Sequence, residues 1–212
     1  NNLFNPALVG RAALLVAFPA QMTTWPKVGQ TFAYLDAETG ATPLSIMKQA
    51  IKSGDASVLD RLPDSLSLFL GNHPDGAGAM GEICALALLL GLAYMLWKKI
   101  ITWHIPVSII VTVFVLAGLM HVVNPVYADP VSVVLSGGLM LGAIFMATDY
   151  VTSPMTHRGQ LIYGVAIGAL TVIIRNWGAY PEGMSFAILI MNAFTPLINN
   201  YVKPKRFGEV AK

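Results

Sequence analysis

Apolar residues gather along this chain into six runs, over residues 6–24, 81–97, 100–123, 131–147, 161–177 and 183–201. A helical apolar stretch of about twenty residues matches the hydrocarbon thickness of a bilayer. Several runs fall short of that, so flanking residues complete them or their helices are broken. Trp97, Trp103, Trp177, Tyr180 and Tyr201 stand at the ends of runs, where interfacial aromatic anchors belong. The connections are short with one exception, the polar segment 26–80, which holds six acids and four bases. The pattern predicts an all-α polytopic membrane protein with about six transmembrane helices. One lies in 1–25 behind a polar, half-helix-like start, and five lie in 81–202. Between them, 26–80 is an extracytoplasmic segment, and 203–212 is a cytoplasmic tail.

Composition agrees with that reading. The chain is 55% hydrophobic and 11% charged, with a mean hydropathy of +0.63, against about 25% charged residues in a soluble domain. A net charge of +2 is too small to imply nucleic acid. Cys84 is the one cysteine. It excludes an intramolecular disulfide, cannot alone hold zinc or an iron–sulfur cluster, and reads as a packed core thiol. Asn1 is neither an initiator methionine nor the start of a signal peptide, so the chain is expected to lack the first part of a longer protein. Lys98, Lys99, Arg158, Lys203, Lys205, Arg206 and Lys212 fall on one side if the runs alternate. The positive-inside rule makes that side cytoplasmic, and segment 26–80 then faces outward.

Within this outer segment the polar string Asp36-Ala37-Glu38-Thr39-Gly40-Ala41-Thr42-Pro43 leads into a helix. Thr42 suits an N-cap and Pro43 the first helical position. Leu44, Met47, Ala50 and Ile51 follow at helical spacing, and Gly54 stops the helix. Thr42 thus sits at a helix N-terminus, where free N–H groups favour a phosphate. A Thr-Pro start alone reads as a surface helix cap and nothing more. The fuller string Asp-x-x-Thr-Gly-Ala-Thr resembles the flavinylation motif, in which a transferase joins FMN through a phosphoester to the final hydroxyl. From average residue usage, a chance match in a chain this long is on the order of one in a thousand.

A second stretch, 137–159, runs from a glycine-studded apolar half-helix into Thr148-Asp149, a Ser153-Pro154 turn and Arg158-Gly159. An interrupted helix beside a carboxylate suits a ligand or ion site, which makes Asp149 and Thr148 candidates. The ordinary role for Asp149 is that of a capping aspartate stabilising a turn at the cytoplasmic interface. Arg11, inside the first run, faces a cavity or snorkels to the surface. His104, His121 and His157 stand singly, His73 lies in an outer turn, and no spacing resembles a metal site.

Several strings together resemble one family. They are residues 1–11 (Asn-Asn-Leu-Phe-Asn-Pro-Ala-Leu-Val-Gly-Arg), the Thr-Gly-Ala-Thr motif, 145–154 (Phe-Met-Ala-Thr-Asp-Tyr-Val-Thr-Ser-Pro), 174–183 (Ile-Arg-Asn-Trp-Gly-Ala-Tyr-Pro-Glu-Gly) and 191–198. In this order they resemble the RnfD family, the D subunit of the Rnf complex, which is the ion-translocating ferredoxin:NAD oxidoreductase. They are also similar to the B subunit of the sodium-pumping NADH:quinone reductase. The resemblance implies a membrane electron-transfer subunit with FMN esterified to Thr42, and with Asp36, Thr39, Gly40 and Ala41 as the rest of the motif. It implies a ten-helix, inverted-repeat, urea-transporter-like fold of which this chain holds about six helices. Its partners would be the other Rnf subunits, a flavin transferase and membrane lipid, and the family leaves room for a second, non-covalent flavin. A flavin-free channel or transporter accounts for broken helices and glycine-rich runs as well. It does not account for the flavinylation string.

Overall fold

The computed structural model describes residues 2–28, 38–72, 76–180 and 182–203. Among these residues the chain is helical, with two isolated β-bridges and no strand. The first run divides into α1 (Pro6–Ala17) and α2 (Pro19–Thr23), parted at Phe18. Asn5 caps α1, its Oδ1 accepting from the Ala7 and Leu8 amides, and Pro6 occupies the first helical position. The polar segment 26–80 carries α3 (Pro43–Ser53), a 3₁₀ turn over Ala56–Arg61 and α4 (Ser65–Leu70). Gly54 and Gly71 close α3 and α4 in the left-handed conformation that glycine adopts without a Cβ penalty.

Two predicted spans are single helices long and apolar enough to cross a membrane, α6 (His104–Val123) and α9 (His157–Trp177). Before α6 lies α5 (Ala85–Trp97), so the run over 81–97 is helical only from Ala85, and residues 81–84 precede the helix. Cys84 is half-buried at that junction, its Sγ 4.0 Å from the Phe69 carbonyl, and so lies at the edge of the core. The last run becomes α10 (Met184–Tyr201), with Pro196 inside it. Trp97, Trp103, Trp177 and Tyr201 are largely exposed at helix ends. Val111, Phe114, Leu119, Val122 and Val123 form an exposed apolar face on α6, a surface suited to lipid.

Glycine sets the closest helix pairing. A Cβ at Gly164 would overlap Ser108 and stand 3.1 Å from the Ile105 carbonyl oxygen. One at Gly168 would stand 2.8 Å from Thr112 Cβ. Small residues four apart therefore let α9 lie directly on the backbone of α6. The core against this pair is built from Leu8, Ile109, Val113, Ile144, Tyr163, Ile167 and Ile188. Buried Asn192 of α10 bonds Tyr163 Oη at 2.7 Å across to α9.

The run over 131–147 is not one helix. It divides into α7 (Pro130–Leu135), a break at Ser136-Gly137-Gly138, α8 (Leu139–Leu141) and a π turn over Gly142–Met146. Gly137 has φ +65°, and a Cβ there would overlap Leu44 of α3. The break frees carbonyls that a continuous helix would satisfy. Arg175, 6% exposed within α9, donates from Nη1 to Val133 O at 2.8 Å and from Nη2 to Ser136 O at 3.0 Å. Replacing Arg175 with Met removes both donors, and each orphaned carbonyl costs about 1–3 kcal/mol. Thermal unfolding of the detergent-solubilised protein is expected to show a total loss of about 2–6 kcal/mol, partly restored by Arg175→Lys. A variant as stable as the parent would contradict this role.

Candidate functional site

Thr42 is the N-cap of α3. Its backbone is extended (φ −77°, ψ 151°), its Oγ1 accepts from the Ser45 amide at 3.2 Å, and Ser45 Oγ donates back to Thr42 O at 2.7 Å. The residues ahead of it are held by backbone bonds to two other segments. The Lys27 amide donates to Glu38 O at 3.0 Å, the Gly40 amide to Trp25 O at 3.3 Å, and the Ala77 amide to Ala41 O at 3.2 Å. Thr39 bridges Pro26 in the same pairing. A Cβ at Gly40 would lie 3.1 Å from Lys27 Cγ and 3.3 Å from Ala77 Cβ, so the segments approach this closely because the residue is glycine. Asp36 and His73 lie outside the described residues.

Thr42 and Gly40 open onto a cavity of about 350 Å³. Trp25, Leu44, Leu135 and Tyr180 give it apolar and aromatic walls, and Arg11, Glu82 and Glu182 give it a charged floor. Lys48 of α3 fixes the loop that carries Tyr180 and Glu182. Its Nζ donates to the carbonyls of Gly178 and Tyr180. Partial burial, followed by the neighbouring Lys52 charge, lowers the Lys48 pKa from the usual lysine range.

The floor is an ionic cluster at the helix break. Arg11 Nη2 lies 2.5 Å from Glu182 Oε2 and 3.4 Å from Glu82 Oε1. Of the two places the sequence allows Arg11, the structure selects the cavity. Both carboxylates stand against Gly138, where a Cβ would meet Glu182 Oε1 at 2.5 Å and Glu82 Oε1 at 2.8 Å. Among the described residues, Glu182 Oε1 and Arg175 Nε are buried without a hydrogen-bond partner. Glu82 lies in the turn before α5, outside the helix. Burial pushes its carboxyl up to about 7, the Glu182 charge adds to that, and Arg11 and Arg175 oppose it.

Asp149 and Thr148 are elsewhere. Asp149 Oδ2 accepts from Thr152 Oγ1 at 3.0 Å, and Thr148 Oγ1 donates to Ile144 O at 2.7 Å, so both serve the turn after the π segment. Neither lines the cavity with Thr42. Sequence pattern alone assigns no site role to Glu82, Glu182, Trp25 or Tyr180. The available signal was a charge next to an apolar run, which is expensive unless paired. Glu82 and Glu182 both flank such runs. What no local pattern reveals is that the two meet.

A pH dependence follows. The folded Glu82 binds its proton more tightly than the unfolded carboxyl, whose value is 4.5. Its contribution to stability is therefore fully present below 4.5 and is lost as pH rises through about 7. Melting temperatures measured across that window are expected to fall less steeply in Glu82→Gln than in the parent. Identical slopes would contradict the upward shift.

The sequence profile of the NQR2, RnfD, RnfE family matches residues 1–208. Over 212 residues the chain is 44% identical to the D subunit of the proton-translocating ferredoxin:NAD(+) oxidoreductase complex of Clostridium ljungdahlii, covering 98% of this chain and 62% of that protein. It is 44% identical over 207 residues to the D subunit of the Na(+)-translocating ferredoxin:NAD(+) oxidoreductase complex of Acetobacterium woodii, covering 98% and 59%. To the D subunit of the ion-translocating oxidoreductase complex of Stutzerimonas stutzeri it is 40% identical over 232 residues, covering 100% and 65%. The chain spans about three fifths of the length of the curated relatives it matches. Matched almost end to end, it belongs to the NQR2, RnfD, RnfE family.

Proposed function

We propose that this chain is part of the D subunit of an Rnf-type complex, in which electron transfer between ferredoxin and NAD is coupled to ion translocation. In this reading Thr42 carries FMN through a phosphoester on Oγ1, on the extracytoplasmic face of the membrane. The chain relays electrons between redox centres of partner subunits and is not catalytically complete alone. A flavin transferase installs the cofactor. The wider family architecture, ten helices in inverted repeats with about six in this chain, belongs to the same proposal. So does a second, non-covalent flavin held by parts of the fold outside this chain.

The observation that carries the reading is the position of Thr42, the last hydroxyl of the flavinylation string, at the rim of a cavity with aromatic walls. A cavity of about 350 Å³ falls in the range of small-molecule sites, about 300–1,000 Å³. A phosphate on Thr42 would meet the N-terminus of α3, where the Leu44 amide precedes the helical hydrogen bonding and the Ser45 amide already turns toward Thr42 Oγ1. Trp25 and Tyr180 offer flat surfaces for a ring, and Arg11 offers a cation. The flavin supplies one- and two-electron redox chemistry when bound. The residues of the chain tether it, orient it and set the charge around it.

The interrupted helix between Pro130 and Met146 supports a second reading, a flavin-free transporter in which the break lines a path. One experiment separates the two. The full-length protein is expressed with a flavin transferase, denatured and separated on a gel. A fluorescent band is expected for the parent and for Thr42→Ser, and none for Thr42→Ala. A dark parent band, with the transferase shown to be active on another substrate, would overturn the covalent-flavin reading.

A further inference from the structure

Two glutamates meet at the floor of the Thr42 cavity, and among the described residues they have one close cation between them. Arg11 Nη2 lies 2.5 Å from Glu182 Oε2, a tight ion pair, and 3.4 Å from Glu82 Oε1, a loose contact. The other cation whose charge reaches them is Arg175. Its two Nη groups are committed to the carbonyls of Val133 and Ser136. α7 and α8, packed against the pair through Gly138, contribute no titratable side chain. Arg11 from α1, Arg175 from α9 and the two carboxyls are therefore the charged groups, among the described residues, that face one another here.

The bonding around the pair is incomplete. Among the described residues Glu182 Oε1 is buried with no donor, and Glu82 Oε1 faces the same point against Gly138. A proton on Glu82 would stand on the same side of Gly138 as the unpartnered Glu182 Oε1. With both groups ionised, two negative charges would share one guanidinium nitrogen in a partly desolvated site, which is costly. With Glu82 protonated, Glu182 and Arg11 form a neutral pair and Glu82 bridges to it.

We infer that Glu82, held against Glu182, is the proton-binding group of the Thr42 cavity, taking up a proton when negative charge enters the cavity and releasing it when that charge leaves. This rests on the reading in which the cavity holds a flavin tethered to Thr42. The charge is an electron delivered to the ring by a one-electron carrier of the complex. In response an O–H bond forms on the Glu82 carboxylate, with the proton drawn from water at the cavity mouth. On reoxidation that O–H bond breaks and the proton returns to water. No electron passes through the carboxyl, and the charge in the cavity is balanced at each step. The sign follows from Coulomb's law, since added negative charge nearby favours the protonated carboxyl. Burial of Glu82 brings its titration into the neutral range, where such a response operates.

Infrared difference spectroscopy of the full-length protein reads a protonated carboxyl directly. In the flavin-free Thr42→Ala protein, a carboxyl band is expected to titrate near neutral pH and to be lost in the Thr42→Ala/Glu82→Gln double variant. In flavinylated parent protein, reduction with dithionite at neutral pH is expected to increase that band. Glu82→Gln is expected to abolish the increase and to flatten the pH dependence of the flavin midpoint potential. Glu182→Gln serves as a second variant that leaves Glu82 in place, and it is expected to move the titration to lower pH. Absence of the titrating band from the flavin-free protein would overturn the inference, whatever the flavin result. So would a midpoint potential with the same pH dependence in Glu82→Gln as in the parent. A titrating band in a protein that never acquires fluorescence would instead sink the flavin reading and leave Glu82 as a proton site without that trigger.

Discussion

A backbone that stops being helical in apolar surroundings must find partners for the carbonyls it frees, because lipid and packed side chains offer none. Arg175 meets that requirement here. Its guanidinium is buried, and its two donors reach Val133 O and Ser136 O on the neighbouring broken helix. An arginine suits the task because its fork presents fixed, parallel donors and keeps its charge when buried. With the break held open, Gly137 takes a left-handed conformation and leaves the space that Leu44 fills. Leu44 is the second residue of α3, two positions beyond Thr42. The helix that Thr42 caps is thus seated on the break that Arg175 maintains.

The same break gathers the charged groups. Gly138 has no side chain, and the carboxylates of Glu82 and Glu182 stand where one would be. Arg11 reaches both from α1. Residues from the first helix, the turn before α5, the broken helix and the loop before α10 therefore line one cavity together with Thr42. A flavin tethered at Thr42 would sense that floor electrostatically. Lys48 holds the loop that bears Tyr180 and Glu182 by donating to the carbonyls of Gly178 and Tyr180.

Local chemistry made part of this legible in the sequence. Thr42-Pro43 reads as a helix start and Gly54 as its stop, and α3 runs over Pro43–Ser53 as those signals require. The runs over 100–123 and 161–177 become α6 and α9, where continuous hydropathy and helical propensity act together. The run over 131–147 is apolar too, yet it breaks, because Gly137 is free to take positive φ and Arg175 offers an alternative to helical bonding. Only the packed structure brings that arginine to it, 42 residues away in sequence. Asp149 attracted notice as a carboxylate next to an interrupted helix, but its partner is Thr152 in its own turn. The carboxylates that do meet, Glu82 and Glu182, lie 100 residues apart and carry no shared motif.

The central claim is spatial, that a flavin bonded to Thr42 lies inside this cavity above Arg11, Glu82 and Glu182. Electron cryo-microscopy of the flavinylated full-length protein tests it most directly. The account predicts density continuous from Thr42 Oγ1 through a phosphate, with the ring between Trp25 and Tyr180 and over the ionic floor. A ring attached at Thr42 but lying outside the cavity, or a cavity filled by side chains alone in flavinylated protein, would contradict it.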